Sequence, residues 1–151
     1  MGIKAGDRAP DFSLPTQDGG ELALRDLLKN SAVVLYFYPM DNTPGCTAEA
    51  RSFRDSYDAL KDAGAEVVGV SSQSPQSHQG FAKENCLPFK LVSDQGGKLR
   101  ELYGVPKVLG LLPGRVTYVI DRQGIVRHVV SSPLRIGRHV KEALEALKRL
   151  G

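Results

Sequence analysis

Apolar positions in this chain change their period several times, and each change marks an element. Ala32-Val33-Val34-Leu35-Tyr36-Phe37-Tyr38 is an unbroken apolar run of strand length, rich in β-branched and aromatic residues, as a strand buried on both faces requires. Pro39 ends it, and Asp41-Asn42-Thr43-Pro44-Gly45 is dense in turn formers. Beyond Cys46 the period turns helical through Phe53, Tyr57 and Leu60, which predicts a helix over about 45–62, stopping at Gly64. Glu66–Ser71 follows as a second central strand.

The flanks read in the same way. Residues 3–11 are an irregular lead-in. Phe12–Leu14 and Glu21–Leu24 form a hairpin about Gln17-Asp18-Gly19-Gly20, and Arg25–Lys29 a helical turn. Ser74-Pro75 supplies an N-cap and a first-turn proline for a helix ending near Asn85. A short strand around Phe89–Val92 comes next, then a helix opened by Ser93-Asp94 and carrying Leu99 and Leu102. Residues 105–114 are an apolar loop punctuated by proline and glycine, a wall for a pocket, a docking surface or simply a packed loop. Arg115–Asp121 and Ile125–Val130 make a second hairpin across Arg122-Gln123-Gly124. The closing helix, about 136–149, sets Val140, Leu144 and Leu147 on one face and Lys141, Glu145 and Lys148 on another. Strands alternating with helices and a late hairpin predict an α/β fold, a mixed sheet with helices on both faces and an N-terminal hairpin, as a single domain over 1–151.

Composition narrows the function classes. With 151 residues the chain can bury a sizeable core, and its 41% hydrophobic and 25% charged content is ordinary for a globular protein. A net charge of +3, with lysines and arginines spread along the chain, argues against nucleic acid and acidic membrane surfaces as partners. No window has the length of a membrane span and the N-terminus lacks a signal peptide's apolar core, so the expected location is cytoplasmic. Cys46 and Cys86 form no C-x-x-C pair. His78, His128 and His139 are too scattered for a local metal site, and all three read as structural or exposed. No metal or cofactor is expected.

Cys46 is the candidate for chemistry. A cysteine in the first turn of a helix meets unpaired N–H groups and the positive end of the helix dipole, both of which favour thiolate over thiol. Thr43 offers a hydroxyl nearby, and Pro39 and Pro44 stiffen the turn. The bland counterpart is a small buried hydrophobe.

Pro39-Met40-Asp41-Asn42-Thr43-Pro44-Gly45-Cys46 matches the P-x-x-x-T-x-x-C signature of the peroxiredoxins, and Asp-Asn-Thr-Pro-Gly-Cys-Thr resembles the branch called bacterioferritin comigratory protein or peroxiredoxin Q. Gly6–Phe12, Ala65–Ser71, Leu87-Pro88-Phe89, Val92-Ser93-Asp94 and Gly114–Asp121 fit the family in order. The resemblance implies a thioredoxin-like fold and a thiol peroxidase for hydrogen peroxide and organic hydroperoxides, passing through a Cys46 sulfenic acid. It further implies Thr43 as donor to the peroxide, Arg115 as the fixed positive charge and Pro39 as the shield of the sulfur. Glu49 would orient Arg115, or merely meet the helix dipole. A monomer served by thioredoxin or another thiol completes the implication.

One departure stands out. The branch often carries a resolving cysteine five residues after the first, and here that position is Arg51. Other members place it in the following helix, at a position matching Ala82; Cys86 lies about a turn beyond. Cys86 is therefore a candidate resolving residue, or an incidental thiol with an outside thiol completing the cycle. The alternatives to a peroxidase are a thiol–disulfide reductase, disfavoured by the missing C-x-x-C, and a redox sensor or binding module with an oxidisable Cys46. A glutathione peroxidase-like enzyme is disfavoured by the absence of tryptophan.

Overall fold

The structure is a computed structural model that describes residues 2–108 and 112–150. Its centre is a five-stranded sheet of β3 (Ala32–Phe37), β4 (Ala65–Ser71), β5 (Lys90–Ser93), β8 (Val116–Ile120) and β9 (Val126–Ser131), in the order β5-β4-β3-β8-β9. β3 runs parallel to β4, and β4 to β5, while β8 is antiparallel to both β3 and β9. Two small antiparallel pairs lie outside it: β1 (Ser13–Pro15) with β2 (Glu21–Ala23), and β6 (Lys107–Val108) with β7 (Leu112–Pro113). The predicted loop 105–114 falls partly on residues 109–111, which lie outside the described residues.

Every residue of β3 is buried, and its period of two decides what each meets. Val34 and Tyr36 face one core with α2 (Pro44–Asp55), α3 (Tyr57–Asp62), α4 (Pro75–Glu84) and α6 (Ile136–Leu150). Val33, Leu35 and Phe37 face the other, with α1 (Leu24–Leu28) and α5 (Lys98–Tyr103). Helices thus cover both faces of a mixed sheet.

The single long helix expected over 45–62 is in fact two. The chain leaves helical geometry at Ser56 (φ −102°, ψ 6°), which separates α2 from α3. The bend lets Phe53 stack on Tyr36, ring centroids 4.4 Å apart, while the Tyr57 hydroxyl donates to Glu66 at 2.9 Å. Asp94 caps α5 from several residues upstream, its carboxylate accepting from the N–H groups of Leu99 and Arg100 at 2.9 Å each.

Candidate active site

Register builds the site. Phe37 pairs with Val116, so one step further along the two strands stand Tyr38, just before Pro39, and Arg115. Arg115, Thr117 and Val119 alternate toward the same face, and Val119 lies in the core with α2 and α6. The turn after β3 uses a left-handed Asn42 (φ 66°) to feed Thr43 and Pro44 into α2, with proline in the first turn and Cys46 in that same turn.

Cys46 is 1% exposed. The Arg115 Nη2–H donates to its Sγ at 3.4 Å, while Nη1 is paired with Glu49 Oε1 and Nε–H donates to the Pro133 carbonyl at 3.4 Å. One guanidinium therefore bridges sulfur and carboxylate with its geometry fixed from both sides. Gly45 keeps that position open, since a Cβ there would stand 3.2 Å from Arg115 Nη2. Gly114 does the same for the backbone, where a Cβ would come within 2.1 Å of the Pro106 carbonyl oxygen.

Burial pushes the Glu49 carboxyl up to about 7, against the pull of Arg115. Burial would make Arg115 less basic, but the charges of Glu49 and Cys46 outweigh it and hold the guanidinium above its ordinary value. Pro39, the residue after Tyr38, is half-buried.

Thr43 stands differently from the sequence expectation. Its hydroxyl donates to the Met40 carbonyl at 2.9 Å, so it offers an incoming molecule an acceptor oxygen rather than a donor. Cys86 is exposed, follows the end of α4 and has a left-handed backbone (φ 53°); neither cysteine is in a disulfide. Its neighbour Asn85 is tied to α2: the Arg51 Nε–H donates to Asn85 Oδ1, and Arg54 Nη1–H to the Asn85 carbonyl, each at 2.9 Å. Arg51 thus works as a strut where the resemblance led one to look for a thiol.

Two residues here were missed from sequence. Arg100 is buried and donates from Nη2 to the Tyr38 carbonyl at 3.0 Å and from Nη1 to the Gly114 carbonyl at 3.5 Å, joining the residues that precede Pro39 and Arg115. His139 was read as structural or exposed. It is fully buried, and its Nδ1 lies 3.7 Å from Glu49 Oε2. The signal for His139 was a stripe shared with Ala143 and Ala146 on the buried side of α6. Arg100 had none, being one cation in a short amphipathic helix.

Comparison with known proteins decides the family. The AhpC/TSA family profile matches residues 5–129. Chloroplastic peroxiredoxin Q of Populus jackii is 48% identical over 149 residues, covering 98% of this chain and 70% of that one. The Sedum lineare counterpart is also 48% identical, with 98% and 80% covered. This chain is a peroxiredoxin of the peroxiredoxin Q branch. Peroxidoxin BcpB of Mycobacterium tuberculosis superposes with a TM-score of 0.92 at 37% identity, over 99% of both chains. A bacterioferritin comigratory protein of Xanthomonas campestris, described for its alkyl peroxide reduction activity, does so with a TM-score of 0.83 at 30% identity, over 92% of this chain and 91% of that one. The fold is accordingly thioredoxin-like, and the enzyme is a thiol-dependent peroxidase. Among the described residues no group of histidine, cysteine and carboxylate side chains could hold a metal ion, and no helix is long and apolar enough to cross a membrane.

Proposed function

We propose that Cys46 is the thiol that attacks the peroxide, with Arg115 holding both reactants and Glu49 holding Arg115. The observation that carries this reading is the Arg115 Nη2–H donated to a sulfur buried in the first turn of α2. The thiolate attacks the outer peroxide oxygen, an S–O bond forms as the O–O bond breaks, and that oxygen stays on sulfur as a Cys46 sulfenic acid. The departing hydroxide or alkoxide takes a proton and becomes water or an alcohol. Arg115 meets charge as it passes from sulfur to oxygen. Thr43 Oγ1 accepts the peroxide O–H, and Pro39 shields the sulfur from bulk water. Arg100, through the carbonyls of Tyr38 and Gly114, fixes the two segments on which these groups sit.

The substrate class is hydrogen peroxide and organic hydroperoxides. Organic substrates are supported by apolar groups at this end of the molecule: Met40, half-exposed in the turn, Leu134, 87% exposed beside Pro133, and Ile136, whose Cδ1 lies 3.9 Å from where a Gly45 Cβ would be. The working unit in this proposal is a monomer, which the resemblance to this branch supports. The sulfenic acid returns to thiol with thioredoxin or another thiol, and a reducing compartment such as the cytoplasm suits that cycle.

Cys86 is the candidate resolving thiol. A disulfide requires Cα atoms within about 7 Å, and with Cys46 buried under Arg115 and Cys86 exposed we propose that the first turn of α2 rearranges to bring the two together. Mass spectrometry after one equivalent of hydrogen peroxide, on the native sequence and on Cys86→Ser, tests the scheme. A Cys46–Cys86 disulfide absent from the variant makes Cys86 the resolver. A Cys46 sulfenic acid persisting in both makes this a one-cysteine enzyme, and no modification at Cys46 sinks the assignment.

A further inference from the structure

The α6 face turned toward α2 carries a buried imidazole that the reaction above does not use. His139 Nε2–H donates to the Ser132 carbonyl at 2.8 Å, a partner that can only accept, so the hydrogen on that nitrogen is fixed. Its other nitrogen, Nδ1, lies 2.7 Å from Thr117 Oγ1, a hydroxyl able to donate to a bare nitrogen or accept from a protonated one. Nδ1 also lies 3.7 Å from Glu49 Oε2, which is buried and, among the described residues, has no hydrogen-bond partner. With Thr117 donating to Nδ1 the ring is satisfied, and it is the Glu49 oxygen, buried without a partner among the described residues, that calls for a proton.

Charge counting points the same way. With the Cys46 thiolate, the Glu49 carboxylate and the Arg115 guanidinium ionised and His139 neutral, these four groups sum to one net negative charge, and the other buried cation acting on Cys46, Arg100, is offset by the buried Asp94. One proton on Glu49 or on His139 makes the four neutral, and a buried site strongly favours neutrality. It also leaves the Arg115 charge opposite sulfur alone.

We propose that His139 is a positioning residue of this peroxidase: it holds one proton in common with Glu49, so that Glu49 does not draw the Arg115 charge away from the Cys46 thiolate. Burial raises the Glu49 carboxyl and lowers the basicity of His139, so neither is stable here as an isolated charge. The other groups facing the pair are accounted for. Tyr36 from β3 is neutral, burial holding its phenol well above the usual range. Arg138 and Glu142, on α6 itself, are paired at 2.7 Å on its exposed side, and His128 from β9 shares Glu142.

The inference rests on Cys46 being the thiol that meets peroxide, and its test reads charge on sulfur rather than turnover, so the two can fail separately. In a Cys86→Ser background, the rate of Cys46 alkylation by iodoacetamide is followed against pH. His139→Gln, which fills the site but cannot carry the proton, is expected to move the thiolate midpoint upward by about one unit, about tenfold less thiolate below it. In a Glu49→Gln background, with no carboxylate to neutralise, the same change is expected to move nothing further. An unmoved midpoint in the first case, or an equal shift in both, overturns the proposal, the second because it marks a packing role. A measurement that needs no variant at position 139 guards against misfolding: ring-nitrogen NMR of His139 in the Cys86→Ser protein and in Cys46→Ser/Cys86→Ser. Removing the thiolate is expected to lower the pH at which the pair loses its proton, and an unchanged titration overturns the proposal.

Discussion

Arg115 has two duties that a lysine cannot share out. Its fork reaches Cys46 Sγ with one nitrogen and Glu49 with another, whereas an ammonium is a point charge on a flexible stem. Arg115→Lys is expected to slow the reaction with peroxide about a hundredfold, the scale on which loss of one preorganised donor is felt, as read by stopped-flow oxidation under single-turnover conditions. Gly45→Ala is expected to give a smaller loss in the same assay, because its methyl would displace Nη2 by only tenths of an ångström. The residues differ in how far sequence reveals them. Cys46 and its turn were legible because proline, glycine and the helical period all mark one boundary. Thr43 and Pro39 were visible as part of that turn, while roles for Arg115 and Glu49 were suggested only by the family signature, since a lone strand-end arginine or a glutamate in the second turn of a helix normally faces water. Arg100 and the role of His139 are set by which elements pack together, a property no local pattern carries.

Among the elements, the turn between β3 and α2 is held to α4 by a buried polar network. The carboxylate of Asp41 accepts from the Tyr38 hydroxyl at 2.6 Å, from Ser77 Oγ at 2.8 Å and from His78 Nδ1 at 2.7 Å, while His78 Nε2 lies 3.1 Å from the Val92 carbonyl. Burial works to raise the Asp41 carboxyl, but these bonds, His78 first, outweigh it and hold the group below the ordinary carboxylate value. A depressed carboxyl stabilises the fold above the unfolded value of about 3.9, and that contribution is lost as pH falls through the lower folded value. Asp41→Asn is expected to cost about 3 kcal/mol at pH 7 and to flatten the loss of stability below about pH 4, measured by urea unfolding across that range. Neither residue reveals this in sequence, where Asp41 reads as a turn former and His78 as one polar helix residue. The helix break at Ser56 was hidden for the opposite reason, because Phe53, Tyr57 and Leu60 keep the apolar period across it.

At the scale of the whole molecule the fold rests on one sheet whose strands serve two cores, and the period of two in an all-apolar β3 made that legible. Gly69 shows how closely the sheet is packed. A Cβ there would stand 2.7 Å from Leu91 Cδ2 and 2.9 Å from Tyr36 Cζ, so the glycine is what allows the Tyr36 ring to lie across β4 beneath α2. Gly69→Ala is expected to cost about 1–3 kcal/mol in thermal unfolding, the range for overpacking a dense core. Some peroxidase activity should be lost with it, because Tyr36 carries Phe53 and so the seat of α2.

The near-complete enclosure of Cys46 sorts visitors by size. At 1% exposure the sulfur offers a protein reductant no surface to engage, whereas a peroxide of a few atoms asks far less room. In the proposed cycle the oxidised sulfur therefore waits on a rearrangement of α2, which the bonds from Arg51 and Arg54 to Asn85 oppose. During that interval a second peroxide molecule can carry the sulfenic acid on to the sulfinic state, which thiols do not reverse. Stiffness that serves the first chemical step thus fixes the oxidant concentration at which the enzyme begins to destroy itself.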